Sequence, residues 1–177
     1  MSFHLYTLIL AVVLLAVVFV MEVAVPKGML SASRVARSRL GGGIIGIICI
    51  AWSTRYILLM LEGGASRYHN LAILLMALLA VLCLVYLDYL FTRALGGFIL
   101  LTVNVALHEA FVIDLPARGI YALLAYILAL AAMILIGLPW RFRHLLEAAQ
   151  SSPRWRHAAG GLMVVAAAVL VGFTVVA

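Results

Sequence analysis

The chain has 177 residues, of which 68% are hydrophobic and 10% charged, and its formal net charge is +6. A soluble domain is about half apolar and about a quarter charged, so this composition excludes a water-exposed globule and makes lipid the expected solvent for most of the surface. The apolar runs are continuous and about 20 residues long, which indicates transmembrane helices and not the alternating strands of a barrel. We therefore predict an all-α, polytopic transmembrane bundle that forms a single domain over residues 1–177.

Six apolar segments alternate with short polar connections. The first begins at Leu5 with no lysine or arginine before it and ends near Lys27, which favours a retained helix over a cleaved signal peptide. Gly42 and Gly46, near the start of the second, are a small-xxx-small pair suited to close helix packing. The predicted spans are residues 5–25, 43–61, 71–87, 94–113, 120–138 and 158–177.

The segment that follows Asp88 decides the topology. Residues 71–113 cannot be one crossing, because 43 residues of helix would extend about 65 Å, so the chain must turn in the polar, glycine-containing stretch that begins at Asp88. Residues 94–113 then either cross the bilayer or form a re-entrant segment. If they cross, the basic connections 26–42 and 140–157 lie on one side, as the positive-inside bias requires. We therefore predict six crossings with both termini outside the cytoplasm.

The two basic connections also predict helices at the membrane surface. Arginines spaced by two or three residues favour an amphipathic helix at 29–40, with a solvated basic turn as the alternative. A second surface helix is predicted at 140–149, where Trp140 stands among arginines and a histidine, a composition typical of the headgroup layer. Short basic connections of this kind suit the inner (cytoplasmic) membrane of a bacterium.

Four polar residues lie in or next to apolar segments toward the predicted outer face. Arg55 is about 10 Å inside the end of the second helix, where an unpaired charge is costly. Asn104 and His108 are spaced i, i+4 and share one helical face, and Glu109 follows His108. An Arg55–Glu109 ion pair beside Asn104 and His108 would neutralise the arginine. We predict these four residues as a quinone or proton site, with helix–helix contact and a snorkelling Arg55 as alternatives.

Other polar groups predict structural roles. Glu22, Asp88 and Arg93 fall near the predicted inner face, where salt bridges between helix ends are expected. Cys49 and Cys83 lie in apolar runs without metal-ligand spacing and are expected to pack as small apolar residues.

Metal and haem sites are not expected from the histidine pattern. The pair His108-Glu109 lacks the second histidine of a zinc-binding HExxH motif. Membrane haem needs two histidines at matching depth, and His108 is the one histidine that falls within a predicted span. The sequence therefore disfavours both cofactors.

Three functions remain open for a chain with so little soluble mass and no catalytic motif. The first is a non-catalytic accessory subunit of a larger membrane complex, which binds other membrane subunits or further copies of itself. The second is a quinone- or proton-linked membrane protein using the four-residue site. The third is a small homo-oligomeric transporter or channel. Nucleic acid is not an expected partner, because loop topology accounts for the basic residues.

Overall fold

The computed structural model describes residues 2–24, 35–62, 66–113 and 115–176. These residues form seven α-helices and no strand. Val20–Ala24 continues the first helix as a π-helical segment, and Ser66–Tyr68 is a short 3₁₀ turn. The helices are α1 (Ser2–Phe19), α2 (Arg39–Met60), α3 (His69–Tyr86), α4 (Leu90–Val112), α5 (Arg118–Gly137), α6 (Trp140–Ser151) and α7 (Pro153–Val176).

Six of these helices, all except α6, are long and apolar enough to cross a membrane. They contain 18 to 24 residues, which corresponds to about 27 to 36 Å at 1.5 Å per residue and matches a hydrocarbon core of about 30 Å. The prediction of an all-α chain with six span-length helices is confirmed. Residues 94–112 fall within the continuous helix α4, for which Ile113 is the C-cap, and they are not broken as a re-entrant segment requires.

All six predicted helix starts were too late, and those of α2, α4 and α7 by four or five residues. Helix α2 begins at Arg39 and contains the glycines assigned to the preceding loop, because the Ser38 side chain caps the helix by accepting a hydrogen bond from the Gly41 N–H at 3.2 Å. Helix α4 begins at Leu90, after a turn in which Tyr89 adopts a left-handed conformation with φ of 57°. Helix α7 begins at Pro153, a residue suited to a first helical turn. The polar connections are therefore shorter than the sequence suggested.

Helix α4 lies at the centre of the bundle. It packs against α5, α2 and α1, while α1 also packs against α7, and α3 packs mainly on α2. More than half of the central part of α4 is buried, whereas no residue of α3 is. The buried residues of α4 are Leu90, Thr92, Ala94, Leu95, Gly96, Ile99, Thr102, Val103, Val105, Ala106 and Ala110.

Glycines set the closest helix contacts. A Cβ on Gly42 would collide with the backbone of Leu90 and Phe91, and one on Gly46 would reach the Ala94 Cβ at 3.9 Å. The predicted close packing is therefore confirmed at Gly42, with α4 as the neighbour, whereas Gly46 makes only ordinary van der Waals contact with α4. On the other side of α4, a Cβ on Gly96 would lie 2.8 Å from the Ala132 carbonyl oxygen of α5. Both neighbours approach α4 at backbone distance.

Helix α6 covers one end of the bundle with an apolar face. Phe142, Leu146 and Ala149 are buried at helical spacing, and α6 contacts α5, α7 and the π-helical segment. A helix therefore occupies the 140–149 region, while its placement on a membrane surface stays a prediction. Of the other surface helix, predicted at 29–40, residues 29–34 lie outside the described residues and residues 39–40 belong to α2.

The buried core of the described residues is almost wholly apolar. Its buried polar side chains are Thr7, Thr92 and Thr102. The Thr92 hydroxyl donates to the Ala36 carbonyl at 3.3 Å, and the Thr102 hydroxyl donates to the Phe98 carbonyl at 2.8 Å. No charged side chain is fully buried in this part of the chain.

Candidate functional site

Helix α4 has packed sides and one open face. Phe91, Ala94 and Phe98 face α2, and Gly96 faces α5. Between these sides, helical spacing brings four residues into one line, at positions i, i+4, i+11 and i+15. These residues, which we call the open face of α4, are Arg93, Gly97, Asn104 and His108.

The open face is polar and uncovered. Asn104 and His108 are exposed, and Gly97 has no neighbouring atom within 4 Å of the position of a Cβ. Neither Asn104 nor His108 has a hydrogen-bond partner among the described residues. The Arg93 side chain is half-buried, and its Nε is buried without a hydrogen bond. Four residues thus present hydrogen-bonding groups or free space along a helix long enough to span a membrane.

Arg55 lies away from this face. It is nine residues beyond Gly46 on α2 and so lies on the opposite side of that helix, because nine residues correspond to half a turn beyond two full turns. Its side chain is exposed, and it forms no ion pair within the described part of the chain. The structure therefore does not join Arg55 to Asn104 and His108.

The predicted Arg55–Glu109 ion pair is not formed. Trp52 of α2 stacks edge-on against Phe98 of α4, with ring centroids 6.1 Å apart, so Arg55 is level with about residue 101. Glu109 is roughly eight residues, or about 12 Å, further along α4. It also lies on the side of α4 that carries Phe98, separate from Asn104. Arg55 and Glu109 therefore lie at different depths along the bundle and on sides of their helices that do not face each other.

A groove runs along α4 and α5 beside Asn104. It has a volume of about 320 Å³ and is lined by Asn104, Tyr126 and five apolar residues. Tyr126 is 62% exposed, so the groove opens to the outside of the bundle. An amide and a phenol hydroxyl are its hydrogen-bonding groups, since its other lining residues are leucines, a valine and an alanine.

The end of the bundle that contains Phe3 is closed by aromatic packing. The hydroxyls of Thr7 and Tyr121 are 3.0 Å apart and fully buried, and the Tyr121 ring packs against Phe3 and Phe173 at 5.4 Å each. Sequence reasoning missed this contact between α1, α5 and α7. Its signal was weak, because a threonine in an apolar run and a tyrosine near a helix start are both ordinary.

The opposite end holds Glu22 in a charged pocket. Its Oε2 is 3.2 Å from Arg156 Nε and 3.2 Å from His157 Nδ1, both on α7. The contact with Arg156 is an ion pair by distance without hydrogen-bond geometry at Nε. A Cβ at Gly160 would lie 2.6 Å from Glu22 Oε1, so the glycine makes room for the carboxylate. The π-helical segment therefore carries an acid that ties α1 to α7.

The other members of the predicted inner cluster do not join Glu22. Asp88 is exposed in the turn before α4, and Arg93 lies on the open face; neither forms an ion pair among the described residues. Glu22 turns to α7 because that helix starts earlier than predicted and presents Arg156 and His157. The prediction of salt bridging between helix ends thus applies to Glu22, with different partners.

Helix α6 carries its own ion pair on its outer side. Arg143 Nε donates to Glu147 Oε1 at 2.6 Å, and His144 Nδ1 lies 3.4 Å from Glu147 Oε2. The pKa of Glu147 is lowered, mainly because its carboxylate accepts the hydrogen bond from Arg143. The same bond, with a weaker one to Tyr89, raises the pKa of Arg143. These groups are solvated and belong to one helix, so the pair adds little stability.

The chain has no match among family models, curated proteins or solved structures. No group of three metal-ligating side chains occurs in the part of the chain that the structure describes. The candidate site therefore consists of the open face of α4 and the adjoining groove.

Proposed function

We propose that this chain is a non-catalytic integral membrane subunit that assembles with another transmembrane protein through the open face of α4. The unpaired hydrogen-bonding groups of Asn104 and His108 carry the proposal. Exposing such groups to hydrocarbon costs several kcal/mol. A partner helix that hydrogen-bonds to them removes that cost, which is how polar side chains promote helix association in membranes.

The same face has the shape for a helix contact. Gly97 leaves open space at its Cα, so a second helix can approach the backbone closely, as small residues permit in membrane bundles. Arg93 lies about three turns from Asn104 toward the α6 end, with its Nε buried and unpartnered. The partner that fits is a transmembrane helix with a hydrogen-bonding side chain near Asn104 and a carboxylate near Arg93.

The charge distribution supports an orientation with the α6 end in the cytoplasm. Contacts among Arg37, Tyr89 and Arg143, and between Glu22 and Arg156, bring these residues to one end. The arginines at that end outnumber the carboxylates, as the positive-inside bias requires. The described charges there are Arg37, Arg39, Arg93, Arg141, Arg143, Arg154 and Arg156 against Glu22, Asp88 and Glu147, while the other end has Arg67 and Arg118 against Glu62 and Glu109. We place both termini outside the cytoplasm, in a bacterial inner membrane.

The interior of the bundle gives no support to a transport function. The buried polar side chains of the described residues are three hydrogen-bonded threonines, which provide no continuous polar path through one copy. The polar groups at membrane depth face outward, which favours assembly over transport.

The groove beside Asn104 supports a second candidate, a quinone-binding protein. A quinone ring needs a hydrogen-bond donor near each carbonyl, and the Asn104 amide and Tyr126 hydroxyl both line the groove of about 320 Å³. Arg55 and Glu109 are not part of this arrangement. If this candidate is right, quinone will co-purify with the protein and decrease in Asn104→Leu and Tyr126→Phe.

The assembly proposal is tested by extraction in mild detergent and native mass spectrometry. The wild-type chain should be recovered with another membrane protein at a fixed ratio. Gly97→Leu fills the space on the open face and should remove the partner, while circular dichroism shows an intact helical fold. Asn104→Leu should weaken the same contact.

Gly161→Leu is the matched control, because Gly161 of α7 is exposed and also has no neighbour within 4 Å of a Cβ. It should keep the partner at the wild-type ratio. Retention of the partner by both Gly97→Leu and Asn104→Leu would overturn the proposal, as would recovery of the wild-type chain only as a homo-oligomer.

A further inference from the structure

A second, separate cavity lies inside the bundle near the α6 end. It has a volume of about 270 Å³ and is lined by residues of α1, α4, α5, α6 and α7. Eleven of its lining residues are apolar, and the twelfth is Arg141 in the first turn of α6. The surface of the cavity is almost wholly carbon, so it is an apolar chamber that Arg141 lines with the carbon stem of its side chain and not with its guanidinium.

Water does not suit this chamber. A buried water needs two to four polar partners, and Arg141 is the one lining residue with a polar side chain. At about 30 Å³ for each water- or methylene-sized group, the chamber has room for about nine such groups. Its size and lining fit a stretch of hydrocarbon chain.

The chamber opens toward the outside of the bundle. Ala131 and Ile134 of α5 line it and are also exposed on the outer surface, as is Arg141. Helix α5 makes only slight contact with α7, so the wall between them is incomplete. A hydrocarbon chain can enter from the surrounding lipid, with its head left beside Arg141.

Arg141 has no ion-pair or side-chain hydrogen-bond partner among the described residues. Arg143, two residues later, is paired with Glu147, whereas Arg141 forms no ion pair with any described residue. The surrounding end of the bundle is rich in arginine, so an anionic group is attracted there. Guanidinium groups bind phosphate through paired, charge-assisted hydrogen bonds.

We infer that this chamber binds one acyl chain of an anionic phospholipid from the adjacent leaflet, with the lipid phosphate held by Arg141. Phe142 closes the chamber on one side, where it separates it from a smaller apolar cavity of about 210 Å³. The inference concerns the interior beside α5 and α6 and makes no use of the open face of α4.

The test uses the purified full chain in detergent, with added phosphatidylglycerol or phosphatidylcholine of identical acyl chains. Bound lipid is counted by native mass spectrometry, and binding is followed by the shift in melting temperature. We expect one tightly bound phosphatidylglycerol, with about tenfold tighter binding than phosphatidylcholine, as a charge-assisted contact provides. Raising the salt concentration should reduce this preference.

Substitutions at Arg141 and Ala131 test the contacts of the lipid headgroup and of the acyl chain separately. Arg141→Gln should bring the two lipids to within about twofold, whereas Arg154→Gln, which removes an exposed arginine outside the chamber, should leave the preference unchanged. Ala131→Trp should fill the chamber and abolish binding of both lipids, and Ala131→Leu provides a milder filling if the larger side chain prevents folding.

Three outcomes would overturn the inference. Equal binding of the two lipids by the wild-type chain would show that the phosphate is not recognised through charge. A preference that survives Arg141→Gln would place the anionic site elsewhere. Displacement of phosphatidylglycerol by oleate at equal concentration would identify a fatty acid, not a phospholipid, as the ligand.

Discussion

Helices α3 and α4 follow each other in the chain, and each is long enough to cross a membrane, but they occupy opposite positions in the bundle. The most apolar stretch of α3 has a mean hydropathy of 2.3 and no buried residue. The corresponding stretch of α4 has a mean hydropathy of 1.7, and 56% of its residues are buried. In a soluble protein the more apolar helix would be expected inside. With the chain in a bilayer, as we propose, lipid is as apolar as leucine and gives no reason to bury α3.

What places α4 at the centre is the size and polarity of its side chains. Gly96 lets α5 approach at backbone distance, and Thr92 and Thr102 satisfy their hydroxyls within the protein. Ala106 and Ala110 are almost completely buried. Small residues allow the close van der Waals contacts that stabilise helices in membranes, and α3 offers mainly large leucines toward the outside.

The largest expected effect comes from Gly96→Val. The new Cβ would lie 2.8 Å from the Ala132 carbonyl oxygen and 2.9 Å from Ile136, and a backbone carbonyl cannot move aside as a side chain can. We expect a loss of about 3 kcal/mol in the free energy of unfolding. Unfolding in mixed detergent micelles, followed by circular dichroism, measures it.

Gly97→Val is the control, one residue away on the open face with no neighbour within 4 Å. In the isolated chain it should cost less than about 0.5 kcal/mol beyond the helix-propensity change. Equal losses for the two variants would mean that α5 does not pack against Gly96.

An intermediate effect on the free energy of unfolding is expected when a small side chain of α4 is enlarged, and a smaller one when a large side chain of α3 is shortened. Ala106→Leu overfills a fully buried site on α4 and should cost about 2 kcal/mol. Leu78→Ala on α3 removes a side chain that is 54% exposed and leaves no enclosed cavity, so it should cost less than about 0.5 kcal/mol. The same unfolding measurement applies, and a larger loss for Leu78→Ala would reverse the comparison.

The smallest expected effect tests whether a buried hydrogen bond supports the packed part of the bundle. Thr7→Val and Tyr121→Phe each break the contact of 3.0 Å between α1 and α5 and should each cost about 1 kcal/mol. The double variant should lose less than the sum of the two, because both changes remove one interaction.

Thr174→Val is the control for this pair, since the Thr174 hydroxyl donates to Val171 within its own helix at 2.7 Å. It should have little effect on the free energy of unfolding. Strict additivity of Thr7→Val and Tyr121→Phe would show that the two hydroxyls are not coupled.

Parts of the candidate site were predictable and parts were not. The i, i+4 spacing of Asn104 and His108 is enough to place both on one helical face. Arg55 was grouped with them because the sequence gives its approximate depth in the membrane. That depth does not specify the side of α2 on which Arg55 lies. Its position on the far side of α2 follows from the contacts of Gly42 and Gly46 with α4, which no local pattern encodes. Sequence also could not identify Arg156 and His157 as the partners of Glu22.

By itself, the sequence determined the helical class, the six span-length segments and the distribution of charge between the connections, because each depends on local composition and on a helical rise of 1.5 Å per residue. Tertiary structure alone decided that α4 is central and α3 peripheral, that Thr7 meets Tyr121 and that Arg141 lines an apolar chamber. These outcomes depend on which faces approach one another. In a bundle whose helices are apolar all round, hydrophobicity does not select those faces; small residues and a few hydrogen bonds do.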